Sequence, residues 1–258
     1  MENRKKSLTL VIYDSAPVQI LLTVIIYGFY AMVLGFALVP SVLLLGWFWG
    51  VSIGTNGMTI VPILLFSLAL GSAVWIYFIW GSIFMASLVR LLTIGLQPGR
   101  YPKASVTTLR WLLQSGIQTM AMVTILPFIC VSYFTNLYYK IIGARIGRNV
   151  YIRAVTVVDA FLLTLEDGVI LGGGAEVSCH FMEPEHLVLA RVLIGEGSLI
   201  GTGAYIAPGT TVGKHCIVGA RSYIRQGITI PDRSVYTVLA GMPIRNVQRI
   251  EKHQARGM

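Results

Sequence analysis

Between residues 194 and 230 an aliphatic side chain returns at every sixth position: Ile194, Ile200, Ile206, Val212, Val218, Ile224 and Ile230. Five of the first six are followed by Gly or Ala, in IGEGSL, IGTGAY, IAPGTT, VGKHCI and VGARSY; IRQGIT is the exception. A period of six excludes an amphipathic helix, whose apolar stripe returns after three and four residues, and it exceeds the two-residue alternation of a plain strand. It suits a solenoid of short strands laid end to end around a prism. One aliphatic side chain per repeat points inward and stacks on its counterpart in the next coil, while Gly and small residues let the chain turn at the corners.

The same phasing begins at Ile146 with IGRNVY, IRAVTV and VDAFLL, slips by one residue, and resumes in LEDGVI, LGGGAE and VSCHFM. It is lost from residue 183 to 191, which predicts an excursion from the prism. Loops that leave a regular scaffold are where function tends to be placed.

The rest of the chain is of another kind. Hydrophobic residues make up 55% of the 258 and charged residues only 12%, and the mean hydropathy is +0.73. These values imply membrane spans. Residues 16–38 and 60–89 are apolar runs long enough to cross a bilayer, joined by a polar, uncharged tip at 51–59. Pro40 is expected to break or kink the first run, with 41–49 as an oblique extension. The basic start, Arg4, Lys5 and Lys6, resembles that of a signal peptide, but the run lacks a small-residue cleavage site and reads as an uncleaved anchor.

Basic residues flank both outer ends of this hairpin and none lies at its tip, which puts both ends in the cytoplasm and everything after Arg90 inside. A third apolar run, 116–133, has basic flanks on both sides and reads as an interfacial or re-entrant segment broken at Pro127. LQPGRYP ahead of it reads as a turn-rich connector. The expected domains are therefore 1–140, membrane hairpin and interfacial helices; 141–243, β-helix; and 244–258, a basic tail read as a short helix or a disordered end.

The net charge of +9 is uneven, with eight Lys/Arg against Glu2 and Asp14 up to residue 140 and twelve against nine afterwards. Most basic residues flank apolar runs, as anchoring residues do, so nucleic acid is not an expected partner. Cys130, Cys179 and Cys216 lack metal-site or CxxC spacing and read as free reduced thiols.

The repeats, closed by Val238-Leu239-Ala240-Gly241-Met242-Pro243-Ile244-Arg245, resemble the β-helix of the hexapeptide acyltransferases, whose repeats commonly end in a GxPA-type segment; Ile244 stands where that family has Ala. LQPGRYP, TLRWLL and YYKIIGARIGRNVYI are similar to the membrane-associated hexapeptide domains at the ends of poly-lysine-synthetase-type nonribosomal enzymes. Stand-alone polysaccharide acetyltransferases share the IGARIG lead-in. The resemblance implies a membrane α-helical domain followed by an all-β, left-handed parallel β-helix. It also implies a homotrimer that moves an acyl group, acetyl being the expected one, from acyl-CoA to a hydroxyl or amine at sites between subunits.

The resemblance also assigns residues. Such enzymes carry their general base on a coil beside a projecting loop, in an HxFE-like sequence; His180 and Glu183 match it, with Met182 at the aromatic position. Neutral His180 is expected to take the acceptor's proton, and Glu183 to orient the ring. Ser178 has no partners for a covalent triad. Backbone N–H groups at Gly201 or Gly203 are candidate oxyanion donors. Lys214, Arg221, Arg225 and Arg245 fall among the C-terminal coils, where coenzyme A lies in that family, and are candidate phosphate partners; Ser222 is a candidate contact for the pantetheine arm.

An anchor on such an enzyme predicts a membrane-associated acceptor, such as a lipid-linked sugar, a polymer-assembly intermediate or a lipid-like amine, with the β-helix on the cytoplasmic side of the inner membrane. Two other readings exist. His180, His186, His215 and His253 are enough for a zinc site like that of γ-type carbonic anhydrases, but their order does not suit one, so no metal is expected. The prism could also be a membrane-anchored scaffold without activity.

Overall fold

In the computed structural model, which describes residues 16–53, 60–153, 156–237 and 248–249, three columns of side chains, all aliphatic except Tyr236, form the spine of the C-terminal domain. One column runs Ile146, Leu165, Ile194, Val212, Ile230. The second runs Ile152, Leu171, Ile200, Val218, Tyr236. The third runs Val157, Val177, Ile206, Ile224. Nearly all of these side chains are fully buried. The six-residue period therefore does what it predicts: it returns one large apolar side chain to the interior of each face.

Each column belongs to one parallel sheet. The first face holds β2 (Arg145–Ile146), β5 (Leu163–Leu165), β10 (Val192–Ile194), β13 (Thr211–Val212) and β16 (Thr229–Ile230). The second holds β3 (Tyr151–Ile152), β6 (Ile170–Leu171), β11 (Leu199–Ile200), β14 (Ile217–Val218) and β17 (Ser234–Tyr236), with β18 (Gln248–Arg249) added antiparallel at its end. The third holds β4 (Thr156–Val158), β7 (Glu176–Ser178), β12 (Tyr205–Ile206) and β15 (Tyr223–Ile224). Successive strands visit the faces in rotation, giving a β-solenoid of about five turns. In the tail, residues 248–249 thus form strand rather than helix, because the open edge of β17 supplies partners for their backbone groups.

The corners are tight. A Cβ at Gly195 would lie 2.6 Å from the carbonyl carbon of Gly213, and one at Gly201 would lie 2.5 Å from the Ala220 amide nitrogen. Only glycine lets adjacent coils approach this closely.

The N-terminal region contains α1 (Ala16–Ile53) and α2 (Ile60–Thr93). Among the described residues these two helices are long and apolar enough to cross a membrane. Side chains such as Ile20, Leu21, Val24, Leu43 and Leu68 are exposed. The break expected at Pro40 does not occur, since α1 continues through it. One missing backbone hydrogen bond is absorbed within a helix packed along its length on α2, where Ser41 Oγ donates to the Ala73 carbonyl at 2.7 Å. At 1.5 Å per residue, 38 residues run about 57 Å, well beyond the roughly 30 Å hydrocarbon core of a bilayer.

After α2 the chain returns to the prism. α3 (Val106–Thr124) is capped by Ser105, whose side chain accepts from the Thr108 amide. Helix stops at Ile125, just ahead of Pro127; α4 (Leu126–Ile129) and α5 (Tyr133–Ile142) follow, and Gly143, at φ 116°, ends α5 and turns into β2. The connector read as turn-rich bends at Pro98, and its second half is a strand, β1 (Gly99–Pro102). It pairs antiparallel with β9 (His186–Leu189), which pairs with β8 (His180–Met182). The excursion is thus a β-hairpin to which a strand more than 80 residues upstream is added, a partner that local turn chemistry does not reveal.

Candidate active site

The corner between the third and first faces collects the chemistry. Asp159 lies there between β4 and β5, and one coil further on His180 opens the excursion between β7 and β10. Oδ2 of Asp159 is 2.5 Å from Nδ1 of His180. A carboxylate accepts, so Nδ1 carries the hydrogen and Nε2 of the neutral ring keeps its lone pair. Nε2 has no hydrogen-bond partner among the described residues, and the side chain is 22% exposed.

Asp159 is fully buried. A buried carboxylate is tolerated only if its lone pairs are met by donors. Its other oxygen accepts from Trp111 Nε1 at 3.0 Å and from Gln114 Nε2 at 2.6 Å. Its backbone amide donates to Gln118 Oε1 at 3.2 Å, and Gln118 Nε2 donates to the Val157 carbonyl at 2.6 Å. Positions 111, 114 and 118 lie on one face of α3, the face laid against the prism. The Trp111 ring also meets the imidazole edge-on, with centroids 4.8 Å apart. Asp159 itself stands in the left-handed region, at φ 57°, ψ 45°, where Asp is among the few side chains found. The short 3-10 turn Ala160–Leu162 follows it. The one-residue slip in the repeats is this turn.

The carboxylate on the ring is therefore Asp159 and not Glu183. Glu183 is in an ion pair with Arg100 of β1 at 2.5 Å, because the hairpin carries it across to the added strand. Ser178 Oγ donates to the His180 carbonyl at 2.9 Å, a backbone contact rather than a nucleophile's. Cys179 is buried beside this site; desolvation, and secondarily the charge of Asp159, push its thiol well above the usual range.

The remaining candidates are dispersed by the rotation of the strands. Arg225 follows β15 and shares the corner of His180; Arg221 precedes β15 at the other edge of the third face. Lys214 follows β13 at the corner opposite that face, and ion pairs with Glu196 at 3.3 Å and Glu166 at 3.9 Å raise its pKa. Ser222 is buried, which takes it out of reach of an arm lying on the outer surface. The amides of Gly201 and Gly203 donate to the carbonyls of Val218 and Gly173, so these N–H groups are held in the coil-to-coil ladder and are not open oxyanion donors. Arg245 and His253 lie outside the described residues. Among the described residues no three His, Cys, Asp or Glu side chains converge as a metal site requires.

Asp159 and its three helical partners were missed in the sequence. Two signals pointed to them: a lone acid in the apolar run VVDAFLL at the break in phase, and the Trp-x-x-Gln-x-x-x-Gln spacing on α3.

Residues 191–226 match the family described as bacterial transferase hexapeptide (six repeats). The chain is 31% identical over 188 residues to the delta-poly-L-ornithine synthetase of Acinetobacter baumannii, a match covering 72% of this chain and 14% of that protein. It is 30% identical over 139 residues to the galactoside O-acetyltransferase of Escherichia coli, covering 49% of this chain and 62% of that protein. The chain thus spans about one seventh of the first relative and about three fifths of the second. Among solved structures, a hexapeptide-repeat acetyltransferase of Vibrio cholerae aligns with a TM-score of 0.43 at 17% identity, over 57% of this chain and 95% of that one.

Proposed function

The chain belongs to the hexapeptide-repeat transferases, and from that premise we propose that it moves an acyl group, most simply acetyl, from acyl-CoA to a hydroxyl or amine of a membrane-associated acceptor. The observation that carries this reading is the Asp159–His180 pair at the root of the excursion. Nε2 of His180 takes the proton of the acceptor O–H or N–H as that atom attacks the thioester carbonyl. The tetrahedral intermediate then expels the coenzyme A sulfur, and the imidazolium returns the proton to it. While the ring is charged, Asp159 holds an ion pair with it, so the positive charge formed in the transition state meets a negative one already in place.

The similarity to a galactoside O-acetyltransferase supports acetyl transfer and a hydroxyl acceptor. Arg221 and Arg225, flanking the third face, together with Arg245, are the residues we expect to meet the phosphates of coenzyme A. The active form is a homotrimer whose clefts lie between prisms, with Lys214 and its acids on the opposite corner. The hairpin of α1 and α2 anchors it in the inner membrane with the prism on the cytoplasmic side, where acyl-CoA is found, and the acceptor is lipid-linked or lipid-like. The poly-ornithine synthetase similarity, which extends beyond the repeats to 72% of the chain, supports the helical region and the prism acting as one unit.

The test is His180→Ala in the full chain. Acyl-CoA turnover with a competent acceptor is expected to fall by roughly 10²–10⁴-fold with the oligomer intact; unchanged turnover would overturn His180 as the base, and absence of turnover in the unaltered chain would leave the prism as a scaffold. Mass spectrometry of lipid extracts from cells with and without the intact gene would identify acyl group and acceptor together. A difference confined to soluble metabolites would overturn the membrane-associated acceptor.

A further inference from the structure

Where the end of α2 meets the first face of the prism there is a polar cavity, of about 330 Å³, whose lining includes neither Asp159 nor His180. Arg90 reaches it from the last turn of α2, Arg145 from β2, and Arg191 from the segment leading into β10; Thr93, Gln97 and Thr164 add polar groups. No carboxylate lines it. Several cations elsewhere are matched: Arg100 and Arg148 are paired with Glu183 and Asp167, Lys214 with Glu196, and Arg110 with the carbonyls of Leu92 and Ile94. The guanidinium groups of Arg90, Arg145 and Arg191 have no ion pair or hydrogen bond among the described residues.

What sets these three apart is that they gather, exposed, around one cavity without a carboxylate; like charges so placed favour an anion between them, and their planar forks suit phosphate oxygens. The position says which phosphate. Arg90 stands at the end of an apolar helix, and the neighbouring Leu91 and Ile94 are exposed. A free anion has no use for that surface, whereas an acyl chain does. We propose that this cavity binds the phosphodiester headgroup of an anionic membrane phospholipid, fixing the prism against the leaflet. The lipid source rests on the hairpin lying in a bilayer.

The experiment takes the full chain in mixed micelles containing dioleoylphosphatidylglycerol or dioleoylphosphatidylcholine and measures lipid retention by native mass spectrometry. The expected result is selective retention of phosphatidylglycerol. Arg145→Gln with Arg191→Gln should weaken it by about tenfold or more, the effect of losing charge-assisted hydrogen bonds. Arg148→Gln, on another corner, serves as a control and should not change it; circular dichroism confirms the fold of each variant. Equal retention of both lipids, or retention unaffected by the double substitution, overturns the proposal. Displacement of the lipid by equimolar inorganic phosphate overturns the lipid source and leaves a site for a free anion. A raised KM for acyl-CoA in the double variant, with lipid retention unchanged, would make the cavity part of the donor site and also overturn it. Alkaline extraction of membranes tests anchoring separately, since its failure would show as release of the unaltered chain.

Discussion

Asp159 and His180 lie 21 residues apart in the chain and one coil apart in the prism, with Oδ2 of the first 2.5 Å from Nδ1 of the second. Asp159→Asn keeps the shape of the side chain but lets an amide face Nδ1, which favours the tautomer with hydrogen on Nε2 and removes the charge that balances imidazolium. The kcat of acyl transfer should fall by roughly 10²–10⁴-fold, with the KM for acyl-CoA unchanged. Glu183→Gln, which loosens only the pairing with Arg100, should cost much less. Steady-state kinetics of the two variants side by side decides between the carboxylates.

Trp111 is a donor to Asp159 and an edge-on neighbour of the imidazole. Trp111→Phe keeps an aromatic ring and removes the N–H, leaving a buried carboxylate oxygen with Gln114 alone. We expect a loss of about 1–3 kcal/mol in stability, read from denaturant melts of the detergent-solubilised chain. Gln118→Leu, which strips both the Asp159 amide and the Val157 carbonyl of their partner, should be at least as costly.

Glycines differ sharply by place. Gly195→Ala drives a methyl group into the backbone of the next coil and should destabilise the prism by about 1–3 kcal/mol, as overpacking does. Gly28→Ala, with nothing within 4 Å of the added carbon on an exposed stretch of α1, should be neutral or slightly stabilising. Thermal unfolding of the two variants checks the contrast.

The cysteines should react in a fixed order. Cys130 is partly exposed, while Cys179 and Cys216 are buried and their thiols are pushed up, chiefly by desolvation. Near pH 8 a raised thiol pKa keeps both protonated, and the thiol is a poor nucleophile. Iodoacetamide followed by peptide mapping should modify Cys130 alone in the native chain and all three after denaturation. Early modification of Cys179 would show that the excursion opens at its base.

The solenoid could be read from the sequence because its rule is local: each repeat states its own inward position, and neighbouring coils merely repeat it. The helix expected to break at Pro40 and the second half of the connector, residues 99–102, went the other way, since packing on α2 and pairing with β9 outweigh local preference. His180 was legible through its place beside the lost register. Its carboxylate was not, because Glu183 is three residues away in the chain and Asp159 is near only once the coils are stacked.

Alone, the sequence determined the prism, its inward columns, the two long apolar helices and the imidazole at the excursion. Tertiary structure decided which acid serves that imidazole and which groups hold that acid in place. The physical reason is that periodicity is written residue by residue, whereas a buried carboxylate is stabilised by donors that must come from elsewhere. Here they come from Trp111 and Gln114, 48 and 45 residues upstream, on a helix that reaches Asp159 only when α3 lies against the prism.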